Sequence, residues 1–106
     1  MQPQTTKIVG IAWYAPEHYD AILGIMADRH KLSPTFHEWR MNAESLEKKL
    51  RRDGNIVVRT LIDPKTFPDW CRSRGLNVDA QARMEYANAV AKDTADRTQA
   101  ESGGIH

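Results

Sequence analysis

The sequence predicts a mixed α/β domain in which a strand and two helices occur twice, in the order β-α-α-β-α-α. Two apolar runs, residues 8–14 and 56–62, each stop just before a proline, as strands often do. Each run is followed by apolar residues at three- and four-residue steps, which indicate helices. Because two helices separate the strands, we expect a small two-stranded antiparallel sheet packed with four helices. A length of 106 residues is that of one domain.

Both predicted strands are apolar on both faces. In the first, Val9, Ile11 and Trp13 alternate with Ile8 and Ala12. Strands without a polar face are typical of sheets that are covered on both sides. A sheet of only two such strands also has open edges, and we expect these to pair with a second copy of the chain.

The helices of the first half have clear start signals. Pro16 suits the first turn of a helix whose buried face carries Tyr19, Ile22, Leu23 and Met26. Ser33 and Pro34 predict the N-cap and the first position of the next helix. That helix has an apolar face and stops at residues 53–54, and the face consists of Phe36, Trp39, Ala43, Leu46 and Leu50.

The second half repeats this order of signals. Pro64 precedes a helix with Phe67, Trp70 and Cys71 on its inner side, and Gly75 is predicted as its C-cap. Asn77 is predicted to cap the last helix. The apolar face of that helix holds Val78, Ala82, Tyr86, Ala89 and Val90.

The two halves overlay as an internal repeat. Ile8 falls on Ile56 and Trp13 on Leu61 without a gap, and a deletion of about four residues later keeps the helices in step. We therefore predict two strand–helix–helix half-repeats. They would form a single domain over residues 7–97, with a loose leader at residues 1–6 and a flexible tail at residues 98–106.

Composition narrows the function classes. The net charge is only +1, which argues against a strongly basic nucleic-acid-binding protein. The leader is short and polar, and no apolar run approaches the length of a membrane span. Cys71 is the single cysteine, so no disulfide can form within the chain, and we expect a reducing, cytoplasmic setting.

No residue pattern predicts catalysis, a cofactor or a metal. His30 and His37 lie across a predicted break and lack the spacing of metal ligands. Cys71 sits at an inner helix position, which favours an inert thiol. The carboxylates near the strand ends, Glu17, Asp20 and Asp63, can all be explained by roles at helix starts.

One pattern keeps a nucleic-acid-binding alternative open. Residues 32–40 resemble the turn and the start of a recognition helix, and the same helix ends in a basic cluster. Under this alternative the contacts to nucleic acid would come from Thr35, His37, Arg40, Lys48, Lys49, Arg51 and Arg52.

The second half carries a longer pattern. It reads Phe67-x-x-Trp70-Cys71-x-x-x-Gly75-Leu76, followed by Arg83-x-x-Tyr86-Ala87. This pattern resembles that of small bacterial proteins of uncharacterised function. The resemblance implies a bacterial, soluble, single-domain protein and transfers no activity.

The preferred hypothesis is a small non-enzymatic protein-interaction domain that self-associates as a homodimer. The alternative is a helix-turn-helix-like nucleic-acid-binding regulator. A third hypothesis is a small enzyme whose site forms only across a dimer interface.

Overall fold

The computed structural model describes residues 7–103, with side chains described for residues 7–97. Four helices and a two-stranded sheet confirm the mixed α/β class. The elements are β1 (Ile8–Trp13), α1 (Tyr19–Ile25), α2 (Phe36–Arg52), β2 (Ile56–Leu61), α3 (Phe67–Ser73) and α4 (Ala80–Gly103). Short 3-10 turns flank α1 at Pro16–His18 and Arg29–Lys31. The predicted leader, residues 1–6, and residues 104–106 of the predicted tail lie outside the described residues, while the backbone of residues 98–103 continues α4.

The sheet is parallel, so the prediction of an antiparallel pair is wrong. β1 pairs with β2 from Ile8 opposite Ile56 to Trp13 opposite Leu61. The prediction treated both intervening helices as full reversals of the chain. With 7 residues, α1 is only about 10 Å long, whereas α2 with 17 residues spans about 25 Å. A six-residue strand is about 20 Å long. Only α2 can therefore carry the chain back to the end of the sheet where β1 begins.

The start of α2 differs from the prediction by two residues. Thr35, rather than Ser33, is the N-cap, and its hydroxyl accepts a hydrogen bond from the backbone N–H of Glu38 at 3.2 Å. A threonine followed three residues later by glutamate is the sequence signature of a capping box. At α4 the Asp79 carboxylate accepts from the N–H of Ala82 at 3.2 Å, in place of the predicted cap by Asn77.

Two glycines terminate helices as their positions predict. Gly54 and Gly75 have φ of +94° and +69°, a backbone conformation that side chains with a Cβ rarely adopt. After α3, the N–H of Leu76 bonds the carbonyl of Cys71 at 2.9 Å, which closes a Schellman motif. The N–H of Asn55 bonds the carbonyl of Leu50 in the same way after α2.

Helices cover the two faces of the sheet. α4 packs on the face that carries Gly10, and the N–H of Gly10 donates to the side-chain oxygen of Asn88 on α4 at 3.2 Å. α2 packs on the opposite face, where Trp39 contacts Trp13 with ring centroids 5.0 Å apart. The sheet is thus the middle of three layers.

The core lies near the carboxyl ends of the strands and is rich in aromatic side chains. Trp39 is at its centre, since its ring contacts those of Trp13, Tyr14, Tyr19 and Phe36. A second aromatic group joins α3 to α4 and consists of Phe67, Trp70 and Tyr86. Both groups bury apolar surface at the same end of the sheet, so the opposite end is held mainly by the strands and by α2 and α4.

The strands and the short helices begin at positions that the predicted repeat treats as equivalent. α1 and α3 each have 7 residues, and Tyr19 and Phe67, which the overlay matches, begin them. The ladder also pairs the residues that the overlay matches in the strands, beginning with Ile8 and Ile56. The internal repeat itself stays a prediction.

Candidate functional site

The residues named for nucleic-acid contact lie at two opposite ends of α2. Thr35, His37 and Arg40 are at its N-terminal end, and the basic cluster begins at Lys48. At 1.5 Å per residue, about 20 Å of helix separates His37 from the end of the cluster. The Thr35 hydroxyl is engaged as the helix cap. The structure therefore does not bring these residues together into one patch.

Carboxylates also reduce the positive charge along α2. Arg40 pairs with Glu44 at 3.3 Å, and Arg51 pairs with Glu47 at 3.4 Å. Three further cations of the cluster are exposed and have no ion-pair partner within the described residues: Lys48, Lys49 and Arg52. The free positive charge is thus confined to the last turns of the helix.

The candidate catalytic and metal-binding groups do not converge. Cys71 is fully buried, and burial raises the pKa of its thiol, which opposes thiolate formation. Glu17, Asp20 and Asp63 are exposed, and the Asp63 carboxylate accepts from the N–H of Lys65 at 2.8 Å. Within the part of the chain that the structure describes, no group of three histidine, cysteine or acidic residues could hold a metal ion.

A cavity, which we term the β1-edge cavity, lies along the outer edge of β1. Its volume is about 490 Å³, and it is open to solvent between α2 and α4. Its floor is β1 itself, through Val9, Gly10, Ile11 and Ala12. The α2 wall is made by Trp39, Asn42, Ala43, Leu46 and Leu50.

The opposite wall of the β1-edge cavity belongs to α4. Met84 and Asn88 form it, one turn apart on the helix, and Met84 is 58% exposed. Across the opening, Leu46 of α2 is 48% exposed. Two large apolar side chains therefore stand on the rims of an apolar cavity with nothing packed between them in the described structure.

Part of the β1 edge at this cavity is closed. A Cβ added to Gly10 would lie 2.0 Å from the carbonyl oxygen of Ala87, so α4 rests directly on the strand backbone. The N–H of Gly10 points away from β2 and is already held by Asn88. An added strand would lose that ladder position, which is a known way to protect an edge.

The inner end of the cavity holds a buried ion pair. Arg83 lines the cavity, and both of its terminal nitrogens bond the Asp28 carboxylate, at 2.9 and 3.1 Å. These hydrogen bonds hold the pKa of Asp28 below its usual range, despite the burial. Next to this pair, burial raises the pKa of Tyr14 to about 12, although the Arg83 charge acts in the opposite direction. Both members of the pair and the phenol thus stay in their usual ionisation states near neutral pH.

The outer edge of β2 is different, because it is open. The N–H groups of Ile56 and Ile62 bond the carbonyls of Lys7 and Trp13 and therefore point to β1. By alternation along the strand, the backbone groups of Val57, Arg59 and Leu61 point the other way. Within the described residues these outward groups have no hydrogen-bond partner. Ile56 and Leu61 are 52% and 62% exposed.

Arg59 in the middle of β2 is folded back onto the sheet. Its guanidinium bonds both carboxylate oxygens of Glu47 at 2.7 and 2.8 Å and lies 3.9 Å from the centre of the Trp13 ring. The same hydrogen bonds lower the pKa of Glu47. A charged side chain commonly protects an edge strand. Here Glu47, which Arg51 also contacts, holds the Arg59 guanidinium on the face of the sheet, so the edge stays accessible.

Sequence reasoning assigned no role to these polar residues, although Arg83 is part of the pattern noted in the second half of the chain. Asp28 and Arg83 lie 55 positions apart, and Glu47 is buried against Arg59, which lies 12 positions further along the chain. Glu47 follows Ala43 by four positions and precedes Leu50 by three, so helical spacing already placed it next to the apolar face. Gly10 within an apolar strand was also a signal for close approach of another backbone.

Comparisons with protein-family models, with curated proteins and with solved structures found no match. Among the described residues, no helix is long and apolar enough to cross a membrane.

Proposed function

We propose that this chain is a non-enzymatic interaction domain that self-associates through the open edge of β2. The observation that carries the proposal is the unpaired outer backbone of β2 together with the exposed Ile56 and Leu61. An isolated two-stranded sheet is marginal, and such an edge is a template for a further strand. A second copy would extend the sheet to four strands, in the order β1-β2-β2-β1.

The edge is suited to its own copy because its apolar residues stand at both ends. In an antiparallel pair related by a two-fold axis, the end of β2 that carries Leu61 meets the end of the other copy that carries Ile56 and Val57. The two-fold axis generates this contact twice, so both exposed apolar ends of each β2 are covered. The central Arg59 keeps its charge balanced by Glu47 of its own chain.

Size-exclusion chromatography with light scattering at micromolar concentration tests the proposal. We expect the mass of a dimer for the wild type and of a monomer for a variant that combines Ile56→Lys and Leu61→Lys. Met41→Lys is the matched control, because Met41 is 58% exposed but lies on α2. It should remain a dimer.

Two outcomes would overturn the proposal. One is a wild-type monomer mass that does not change on concentrating the protein. The other is a dimer that persists in the variant with two lysines on β2. Urea melts of the variants establish that they are folded, since substitutions at positions this exposed are expected to change the free energy of unfolding by only about 0.5 kcal/mol each.

A further inference from the structure

We propose that the β1-edge cavity binds an uncharged, largely apolar small molecule with a hydrogen-bonding head group, such as an alcohol or an amide. This site is separate from the β2 edge and does not depend on self-association. The cavity volume of about 490 Å³ falls within the range of about 300–1,000 Å³ that small-molecule sites occupy.

The lining of the β1-edge cavity favours a ligand whose body is apolar. The floor presents Val9 and Ile11, and the α2 wall presents Ala43, Leu46 and Leu50. A ligand chain or ring placed against these side chains would leave water together with the exposed surface of Leu46.

The charge of the lining selects a neutral molecule. Among the described lining residues, Arg83 is the only charged one, and Asp28 occupies both of its terminal nitrogens. An anionic head group would compete with a bidentate carboxylate already in place, and a cation would meet no acidic side chain in the lining. Because Asp28 balances the charge of Arg83, either ion would lose water without a net opposite charge in the lining to compensate it.

Two amide side chains at the cavity select a hydrogen-bonding head group. The Asn42 amide nitrogen donates to the Ser33 hydroxyl at 3.3 Å, so the Asn42 carbonyl remains as an acceptor. The Asn88 oxygen accepts from Gly10, so the Asn88 amide nitrogen remains as a donor. Hydroxyl and amide groups can use a donor and an acceptor together.

The neutral dye Nile red, whose emission rises in apolar surroundings, is the probe for this site. We expect saturable binding of one dye molecule per chain to the full-length protein. Ala43→Trp fills the cavity from the α2 wall and should abolish the signal. Ala89→Trp is the matched control, because Ala89 is exposed on α4 and does not line the cavity, and it should bind as the wild type does.

Competition then tests the class of ligand. Decanol should displace the dye, while decanoate, with the same chain length and a negative charge, should compete roughly tenfold more weakly, a difference of about 1.4 kcal/mol. If Ala43→Trp does not fold, Leu46→Asp serves as the second variant, because Leu46 is about half exposed and tolerates a polar side chain more readily.

Three results would overturn the proposal: no saturable dye binding to the wild type, equal binding by the Ala43→Trp and Ala89→Trp variants, or equal displacement by decanoate and decanol. The variant with lysines at positions 56 and 61 should still bind the dye. The outcome for this cavity is therefore independent of the outcome for self-association.

Discussion

β1 lies between two helices, with Gly10 against Ala87 on one face and Trp13 against Trp39 on the other, whereas β2 leaves Ile56 and Leu61 more than half exposed. β2 contains Arg59 and Thr60, whereas β1 has no polar side chain, but the other four residues of β2 are large and apolar, so hydrophobicity alone does not explain the difference. Small side chains do. β1 presents Gly10 and Ala12 to α4, and the residues beside them in the ladder are Val58 and Thr60. A helix can approach the strand backbone closely over Gly10 and Ala12, but not over the larger side chains of Val58 and Thr60.

One buried or partly buried ion pair lies near each strand, and the pair near β2 is again the more exposed of the two. Asp28 and Arg83 connect the segment after α1 to α4, and both side chains are about one-tenth exposed. Glu47 and Arg59 connect α2 to β2, and the Arg59 side chain is 46% exposed. Water can solvate the arginine of the second pair when its partner is removed, but not that of the first.

Truncating the carboxylates of Asp28 and Glu47 should give the largest difference in stability between the two ion pairs. Asp28→Ala leaves Arg83 buried without its partner, and we expect a loss of about 3–5 kcal/mol in the free energy of unfolding. Glu47→Ala leaves a half-exposed Arg59, so we expect a loss of about 1 kcal/mol. Urea denaturation of both variants measures the difference. Equal losses would show that exposure of the arginine does not control the contribution of the pair.

The close contact of β1 with α4 gives the next largest effect. Gly10→Ala forces a Cβ against the carbonyl of Ala87, and we expect a loss of about 3 kcal/mol in stability. Gly24→Ala is the matched control, because an added Cβ there meets nothing within 4 Å. That substitution, within α1, should instead stabilise by about 0.5–1 kcal/mol. A tolerated alanine at position 10 would mean that α4 can move away from β1.

The order of elements was predictable because each has a local signal, whereas the direction of β2 was not. Proline and glycine positions, apolar spacing and the caps near Thr35 and Gly75 are local properties of the sequence. Strand direction depended on the length of α1, whose end the sequence does not mark. The cavity and the ion pairs could not be predicted, since residues such as Asp28 and Arg83 meet only after the helices pack.

Acid should weaken both ion pairs, and their relative contributions can be read from the pH dependence of stability. The pKa values of Asp28 and Glu47 are lowered in the folded state by hydrogen bonds from Arg83 and Arg59. Their stabilising contribution is therefore complete above the unfolded-state pKa of about 4 and is lost as the pH falls through the folded-state values. We expect the free energy of unfolding to decrease below about pH 4.

Asp28→Asn and Glu47→Gln identify the source of this decrease. Each should make the decrease shallower, and Asp28→Asn should do so more because its pair is the more buried. Asp69→Asn removes a carboxylate whose ion pair with Arg72 is fully on the surface, and it serves as the control. If the free energy of unfolding decreased with acid as steeply in both the Asp28 and the Glu47 variants as in the wild type, these two carboxylates would not be the source of the decrease.

The basic end of α2 should give the smallest effect, although it lies next to the open strand. Arg52 ends the helix four residues before Ile56, so the basic cluster and the β2 edge belong to one region of the surface. Lys49→Glu combined with Arg52→Glu reverses two exposed charges near a helix C-terminus, and we expect less than about 1 kcal/mol of lost stability. The same charge change at Lys65 and Lys92, both exposed, is the control for net charge.

If β2 pairs with protein, neither variant changes the dimer mass, and the wild type does not bind a DNA duplex in titrations at low salt. Duplex binding that weakens with salt and disappears only in the Lys49→Glu, Arg52→Glu variant would favour the nucleic-acid-binding alternative, since only direct phosphate contacts would distinguish the two reversals.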